Sequence, residues 1–226
     1  MLILRNFKRA YENEELKWYL GIIVITTIAV MINIYSMYSN VSEALRLSFF
    51  QVSSIITTTG FTSENFDLWP MFSKTAILFL MVIGASAGST GGGIKVSRVI
   101  ILFKSIRNSI KKTISPRSIT SITLSGEIID SKTEKSVLDY FVLYIIIAVS
   151  SIMLLSLGKH DGITNISAVL ACLNNIGPGL RVAGPLGNYS SFTALSKITL
   201  IINMLIGRLE IYPIIALMSP ITWKRR

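Results

Sequence analysis

The strongest constraint on this chain is where its apolar residues fall. They collect in runs at 18–37, 137–157 and 192–223, each near or above the roughly 20 residues a helix needs to cross a hydrocarbon core. Hydrophobic residues make up 51% of the 226 residues and charged residues only 15%, well under the roughly one quarter of a soluble domain. Inside a bilayer the backbone must satisfy its own polar groups. The expected class is therefore an all-α membrane protein.

Shorter segments lie between these runs. Residues 41–57 carry Glu43 and Arg46 early, then Leu47, Phe49, Phe50, Val52, Ile55 and Ile56. This helix is too short and too polar to cross alone, which is the pattern of a re-entrant segment. Thr57–Thr58–Thr59–Gly60–Phe61 follows it, then an acidic loop with Glu64 and Asp67. A second short helix is expected at 163–173, followed by Asn174–Asn175–Ile176–Gly177–Pro178–Gly179.

A helix predicted at 71–83 runs into Gly84, Ala85, Ser86, Ala87, Gly88, Ser89, Thr90, Gly91, Gly92 and Gly93. So dense a glycine cluster breaks a helix. Helical periodicity resumes over 94–114, so one long helix is interrupted at membrane depth. Such backbone is tolerated only where it is buried in protein or lines a cavity. Ser115–Pro116 ends the element, and 119–129 alternates around Ser125–Gly126, predicting a small hairpin. The run at 192–223 reads as one last span containing Arg208 and Glu210.

Charge placement orients these segments. The formal net charge is +10, but nucleic-acid binding needs a basic face on a soluble domain, and none is visible. Putting the N-terminus, 95–136 and the C-terminus in the cytoplasm leaves only Arg46, Lys74, Lys159, Arg181 and Lys197 outside, with Arg208 inside the last span. That asymmetry follows the positive-inside rule. The first 17 residues are charged and lack the apolar core of a cleavable leader. The reading is a multi-pass protein of the plasma membrane with both termini cytoplasmic. Its parts are a leader at 1–17, a unit at 18–114, a linker at 115–136 and a second unit at 137–226.

The two units match each other. Ser73, Lys74, Met81, Ile83 and Gly84 recur as Ser196, Lys197, Met204, Ile206 and Gly207, each 123 positions later, and Gly60 recurs as Gly177, 117 positions later. Both copies run in one direction, as in a parallel repeat about the membrane normal. A half-helix that stops within the membrane leaves its last carbonyls unpaired and aims the negative end of its dipole inward, where it favours a cation. Four such carbonyl-lined turns around an axis can replace the hydration shell of potassium.

Thr58–Thr59–Gly60–Phe61 and Asn175–Ile176–Gly177–Pro178–Gly179 resemble the third and fourth filter sequences of the Trk/Ktr bacterial potassium transporters. Gly-Ser-Thr-Gly-Gly-Gly-Ile-Lys at 88–95 resembles the intramembrane loop of their third repeat. Gly207–Arg208–Leu209–Glu210 resembles the arginine motif of their last helix. The resemblance implies two helix–pore-helix–helix repeats, the second helix of the first being broken, out of the four such repeats in that family. It implies a potassium ion at the filter carbonyls, with sodium open because Phe61 and Pro178 stand where potassium channels have tyrosine. It also implies a gate formed by the glycine loop, residues 84–93, and Arg208. Arg208 has two plainer readings, an ion pair with Glu210 or a cap on broken-helix carbonyls. A charge at this depth costs about 3 kcal/mol on insertion scales.

The partners implied are the bilayer and either the missing N-terminal repeats or a second copy of this chain. Complete transporters of the family would pair as a homodimer on a cytoplasmic ring of the TrkA/KtrA kind. Nucleotide would enter only through that ring, with the basic helix end and 115–136 as candidate contacts; a lipid-headgroup-facing surface is the alternative there. A fragment that inserts without conducting is a further reading. No enzyme is expected. Gly84–Ala85–Ser86–Ala87–Gly88 resembles the serine motif of rhomboid proteases, but the only histidine, His160, belongs to an outer loop, out of reach of Ser86 as a base. The glycine cluster is followed by Ile94 where a phosphate-binding loop has lysine, and no strand is expected before it. Cys172 is the only cysteine, so an internal disulfide is excluded, and it reads as a small packing residue.

Overall fold

The computed structural model describes residues 12–117 and 121–223. Most of the leader and the basic residues Lys224, Arg225 and Arg226 lie outside the described residues. Nine α-helices, three single-turn 3-10 helices and one hairpin account for the regular structure of the described residues. Helix α1 (Glu14–Ile34) is capped by Asn13, whose side chain accepts from Leu16 N, with Glu14 and Glu15 in its first turn. Both features suit the positive end of a helix dipole. Helices α2 (Val41–Ile56), α3 (Met71–Ile83) and α4 (Val96–Ile114) follow. Strands β1 (Ile122–Leu124) and β2 (Glu127–Ile129) pair antiparallel around Ser125–Gly126.

Helix α5 (Ser131–Leu155) opens the second half, followed by α6 (Gly162–Leu173), α7 (Ala194–Leu209), α8 (Ile211–Met218) and the single turn α9 (Pro220–Trp223). The element order of the first half thus recurs: long helix, short helix, extended turn, apolar helix. With 21 and 25 residues, α1 and α5 are long and apolar enough to cross a membrane. The 16 residues of α2 and 12 of α6 reach about 24 Å and about 18 Å, short of a core about 30 Å thick. Side chains such as Ile25, Ile32, Phe79, Ile146, Met153 and Ile198 face outward. A helix apolar on its outer face as well as its inner one belongs in lipid or in a larger assembly.

Two cores hold the halves together. The first gathers Val30 and Ile34 of α1, Val52, Ile55 and Ile56 of α2 and Ile77 and Met81 of α3, and it is completed by Ile176 and Leu180 from the second half. The second gathers Tyr144 and Leu155 of α5, Val169 and Leu173 of α6 and Leu200 of α7, together with Ile94 from the first half. Each half therefore lends residues to the other's interior. Polar side chains tie the long helices as well: Ser73 donates to Asn33 at 2.7 Å and Ser151 to Asn203 at 3.0 Å.

Two segments differ from the sequence expectation. Helix α5 starts six residues before the apolar run at 137, because Asp130 caps it by accepting from Thr133 N at 2.9 Å. The run at 192–223 is not one span: α7 and α8 meet at 108° across Glu210, which takes φ 63. Pro213 supplies a reason. It has no N–H to give the carbonyl four residues back, and it is tolerated only in a first helical turn. Ending α7 at Leu209 places it there.

Candidate functional site

The ends of the two short helices are built alike. After α2, Thr58 N donates to Ile55 O, and both Thr59 N and Gly60 N donate to Ser54 O. After α6, Asn175 N donates to Cys172 O, and both Ile176 N and Gly177 N donate to Ala171 O. Each bond of one set maps onto the other at the 117-residue spacing. Thr58 and Asn175 share φ values of 56 and 54, and Gly60 and Gly177 take 78 and 107. A β-branched threonine in the left-handed region is a strained conformer, and such strain concentrates where function needs a set backbone shape.

Both turns leave carbonyls free. Among the described residues no donor reaches Thr57 O, Thr58 O or Thr59 O, nor Asn174 O, Asn175 O or Ile176 O. Thr59, Phe61 and Gly177 are exposed, so the two turns border open space. They also touch each other: a Cβ at Gly60 would collide with the carbonyl of Ile176 and sit 3.2 Å from Pro178 Cδ. Thr58, Thr59, Gly60 and Phe61 are thereby brought together with Asn175, Ile176, Gly177 and Pro178.

The second turn is braced from behind. Asn174, fully buried, donates to the Tyr144 hydroxyl at 2.9 Å and to Leu170 O at 2.8 Å. Asn175 donates to Met204 O at 3.0 Å and so fixes the turn to α7. Tyr189 OH donates to Gly177 O at 2.8 Å. Around the first turn Ser54 Oγ donates to Phe61 O at 2.6 Å and Thr57 Oγ1 to Ser53 O at 2.6 Å. A cavity of 620 Å³ beside the second turn is lined by Cys172, Asn175, Gly177, Tyr189 and Met204. Cys172 is buried and unpaired, a packing residue in that wall.

The glycine segment folds back on itself beneath these turns. Ile94 N donates to Val82 O at 3.3 Å and Val96 N to Ala85 O at 3.2 Å, closing the loop at its base. Gly92 lies against Asn174, where a Cβ would meet the Asn174 carbonyl oxygen. Three charged side chains satisfy the loop's polar backbone. Lys95 Nζ donates to Ser89 O at 3.0 Å and also to Gly91 O. Arg208 donates to Thr90 O at 2.8 Å. Glu15 accepts from Ala87 N at 2.6 Å.

Of the two plainer readings of Arg208, the ion pair with Glu210 is not formed; the bond to Thr90 O is a carbonyl cap. Glu210 instead pairs with Arg98 at 2.9 Å. Arg98 lies 4.0 Å over the Tyr140 ring, within the range of a cation–π contact. His160 packs on Phe192 and reaches Ser191, and Ser86 is not among its partners. Among the described residues no group of His, Cys, Asp or Glu could hold a metal. Sequence reasoning missed Glu15, Lys95, Arg98 and Tyr140. Only Lys95 had a signal, as the last residue of the glycine motif.

Residues 18–224 match the family model TrkH, described as a cation transport protein. The chain belongs to the TrkH family. This is a family of transport proteins, not enzymes. Its TrkH relatives include the Trk system potassium uptake protein TrkH of Escherichia coli K12, 33% identical over 97% of this chain and 46% of that protein. The TrkH of Vibrio parahaemolyticus is 36% identical over 83% of this chain. The crystal structure of the potassium transporter TrkH from Vibrio parahaemolyticus superimposes with a TM-score of 0.83 at 31% identity, covering 95% of this chain and 46% of that one. The chain thus spans about half the length of the TrkH relatives it matches.

Proposed function

We propose that this chain supplies two of the four turns of a potassium-conducting filter. The observation that carries this reading is the pair of matched turns, identical in hydrogen-bond pattern, touching at Gly60 and Ile176, with carbonyls left free. Helices α2 and α6 act as the pore helices of two parallel repeats, spanning 18–114 and 137–226. A dehydrated potassium ion would bind the free carbonyls of the two turns, where the carbonyl ends of both helices favour a cation. Two turns close half a ring. The other half comes from N-terminal repeats or from a second copy of this chain.

Helices α1, α3, α5 and α7 sit in the plasma membrane of a bacterium, and the end bearing the hairpin and the basic part of α4 faces the cytoplasm. There a nucleotide-binding regulatory ring would meet the transporter, itself paired as a homodimer. The loop from Gly84 to Gly93, with Arg208, forms the constriction below the filter. Arg208 adds an electrostatic barrier to cations, and its bond to Thr90 O ties that charge to the loop.

The test is rubidium uptake by the assembled transporter in vesicles, with sodium as competitor. Uptake displaced by potassium but not by sodium supports a potassium filter. Equal displacement by both ions overturns potassium selectivity, and no uptake above empty vesicles overturns conduction.

A further inference from the structure

The glycine loop is held by three charged side chains from three elements. Lys95 and Arg208 belong to the two motifs that mark the gate. Glu15 belongs to neither, and reaches the loop across 72 residues of sequence from the first turn of α1. Its neighbour Glu14 points to a different element. Glu14 Oε1 lies 2.6 Å from Lys104 Nζ, Glu14 N donates to Ser125 Oγ at 3.1 Å, and Ser125 N donates back to Glu14 Oε2 at 3.3 Å. Lys104 Nζ donates in turn to Thr123 O at 2.6 Å.

Two consecutive carboxylates on one helical turn therefore clamp the hairpin and the glycine loop, which among the described residues share no direct bond; α4 itself meets the loop through Val96 N and Ala85 O. Glu14 grips the β1–β2 hairpin and α4, and Glu15 grips the loop at Ala87. Glu14 and Glu15 are adjacent in a first turn that Asn13 caps, so a displacement of one grip is carried to the other through a single peptide unit. If the hairpin shifts, α1's first turn shifts with it, and the exposed Ala87 N–H gives up its carboxylate acceptor for water, freeing the loop at that point.

We infer that Glu15 is a positioning residue for the glycine loop, and that the Glu14–Ser125–Lys104 junction passes displacement of the hairpin to it. This rests on the reading of that loop as the gate. A protein seated on the hairpin would thus reach the pore through α1 as well as through α4.

The test uses the full chain in lipid nanodiscs and amide hydrogen exchange of peptides covering 84–93, 121–130 and 140–148. Glu15→Ala is expected to speed exchange in 84–93 about tenfold, leaving 121–130 and the control 140–148 inside helix α5 unchanged. Glu15→Gln keeps an acceptor oxygen and should stay near the parent. Glu14→Ala should speed both the hairpin and 84–93 although Glu15 is intact. Unchanged exchange in 84–93 for Glu15→Ala overturns the positioning role. A Glu14→Ala response confined to the hairpin overturns the transmission. If Glu15→Ala disturbs 140–148, the Glu14→Ala and Glu15→Gln pair decides the question. Rubidium flux through the assembled transporter separates the underlying reading: a faster-exchanging loop with unchanged flux keeps Glu15 as positioning residue and removes the loop as gate.

Discussion

Arg98 meets Glu210 at 2.9 Å, joining the helix that leaves the glycine loop to the residue at which the last apolar segment turns through 108°. The pair sits beside Tyr140, and Tyr140 packs at a tilt against Tyr212 of α8 with ring centroids 5.9 Å apart. Removing Arg98 takes away both the ion pair and the cation over the ring. Arg98→Ala is expected to lower stability by about 1–2 kcal/mol, since Glu210 is part-exposed and keeps some solvation. Thermal unfolding in detergent reads this. The exchanged pair Arg98→Glu with Glu210→Arg should recover part of the loss; a double variant no better than either single one would show that the pair does not hold the bend.

Gly60 has no room for a side chain. A Cβ would strike the Ile176 carbonyl, and φ 78 disfavours any L residue. Gly60→Ala should cost about 1–3 kcal/mol through strain and displaced backbone. Uptake should fall in the same variant because the two turns are pushed apart. Gly21→Ala in the middle of α1 meets no atom within 4 Å and serves as control, expected neutral or stabilising by roughly 0.5–1 kcal/mol. Equal behaviour of the two variants in melting and uptake assays would argue against a tight contact between the turns.

Arg208 and Lys95 hold neighbouring carbonyls of one loop but should not be equivalent. Arg208 is exposed on the open face, whereas Lys95 is buried. Arg208→Ala removes a charge from the pathway and frees Thr90 O, so rubidium flux should rise several-fold with expression near normal. Lys95→Met leaves Ser89 O and Gly91 O without their donor inside the protein, a loss of about 1–3 kcal/mol, and should show first as reduced yield of folded protein. Reduced flux in well-expressed Arg208→Ala would remove the barrier role.

Asp161 gives a test outside the spanning helices. A hydrogen bond from Thr164, together with the nearby Arg181 guanidinium, holds its carboxyl below the usual carboxylate range despite some desolvation. A depressed folded-state value means the stabilisation is fully present above the unfolded-state value, near pH 4. It is lost as pH falls through the lower folded value. The melting temperature should therefore drop below about pH 4, and less so in Asp161→Asn. Solvent screening of so exposed a pair keeps the difference under about 1 kcal/mol. An identical acid profile for both proteins would remove Asp161 from the account.

Local composition made the short elements legible. The polar start and apolar finish of 41–57 marked a helix too short to cross, and Thr58–Gly60 and Asn175–Gly177 marked the turns after both short helices through glycine at matched spacing. The glycine loop announced itself by density alone. The bend at Glu210 left a trace that apolar-run counting passed over: Pro213, which cannot continue a helix built from α7. The early start of α5 was hidden because its first turns are polar and only Asp130 marks them. Glu15, Arg98 and Tyr140 left no trace, because their partners lie far along the chain and only tertiary packing selects them.

Ile176 plays two parts with one residue. Its side chain fills the interior of the first half while its carbonyl stands at the turn beside Gly60. On the proposed reading of the turns as part of a filter, the width of that filter is thus inherited from the seating of an aliphatic side chain behind it. A lesion that loosens that seat, however far from the pore axis, would be read by a passing ion as a change in the width of its path.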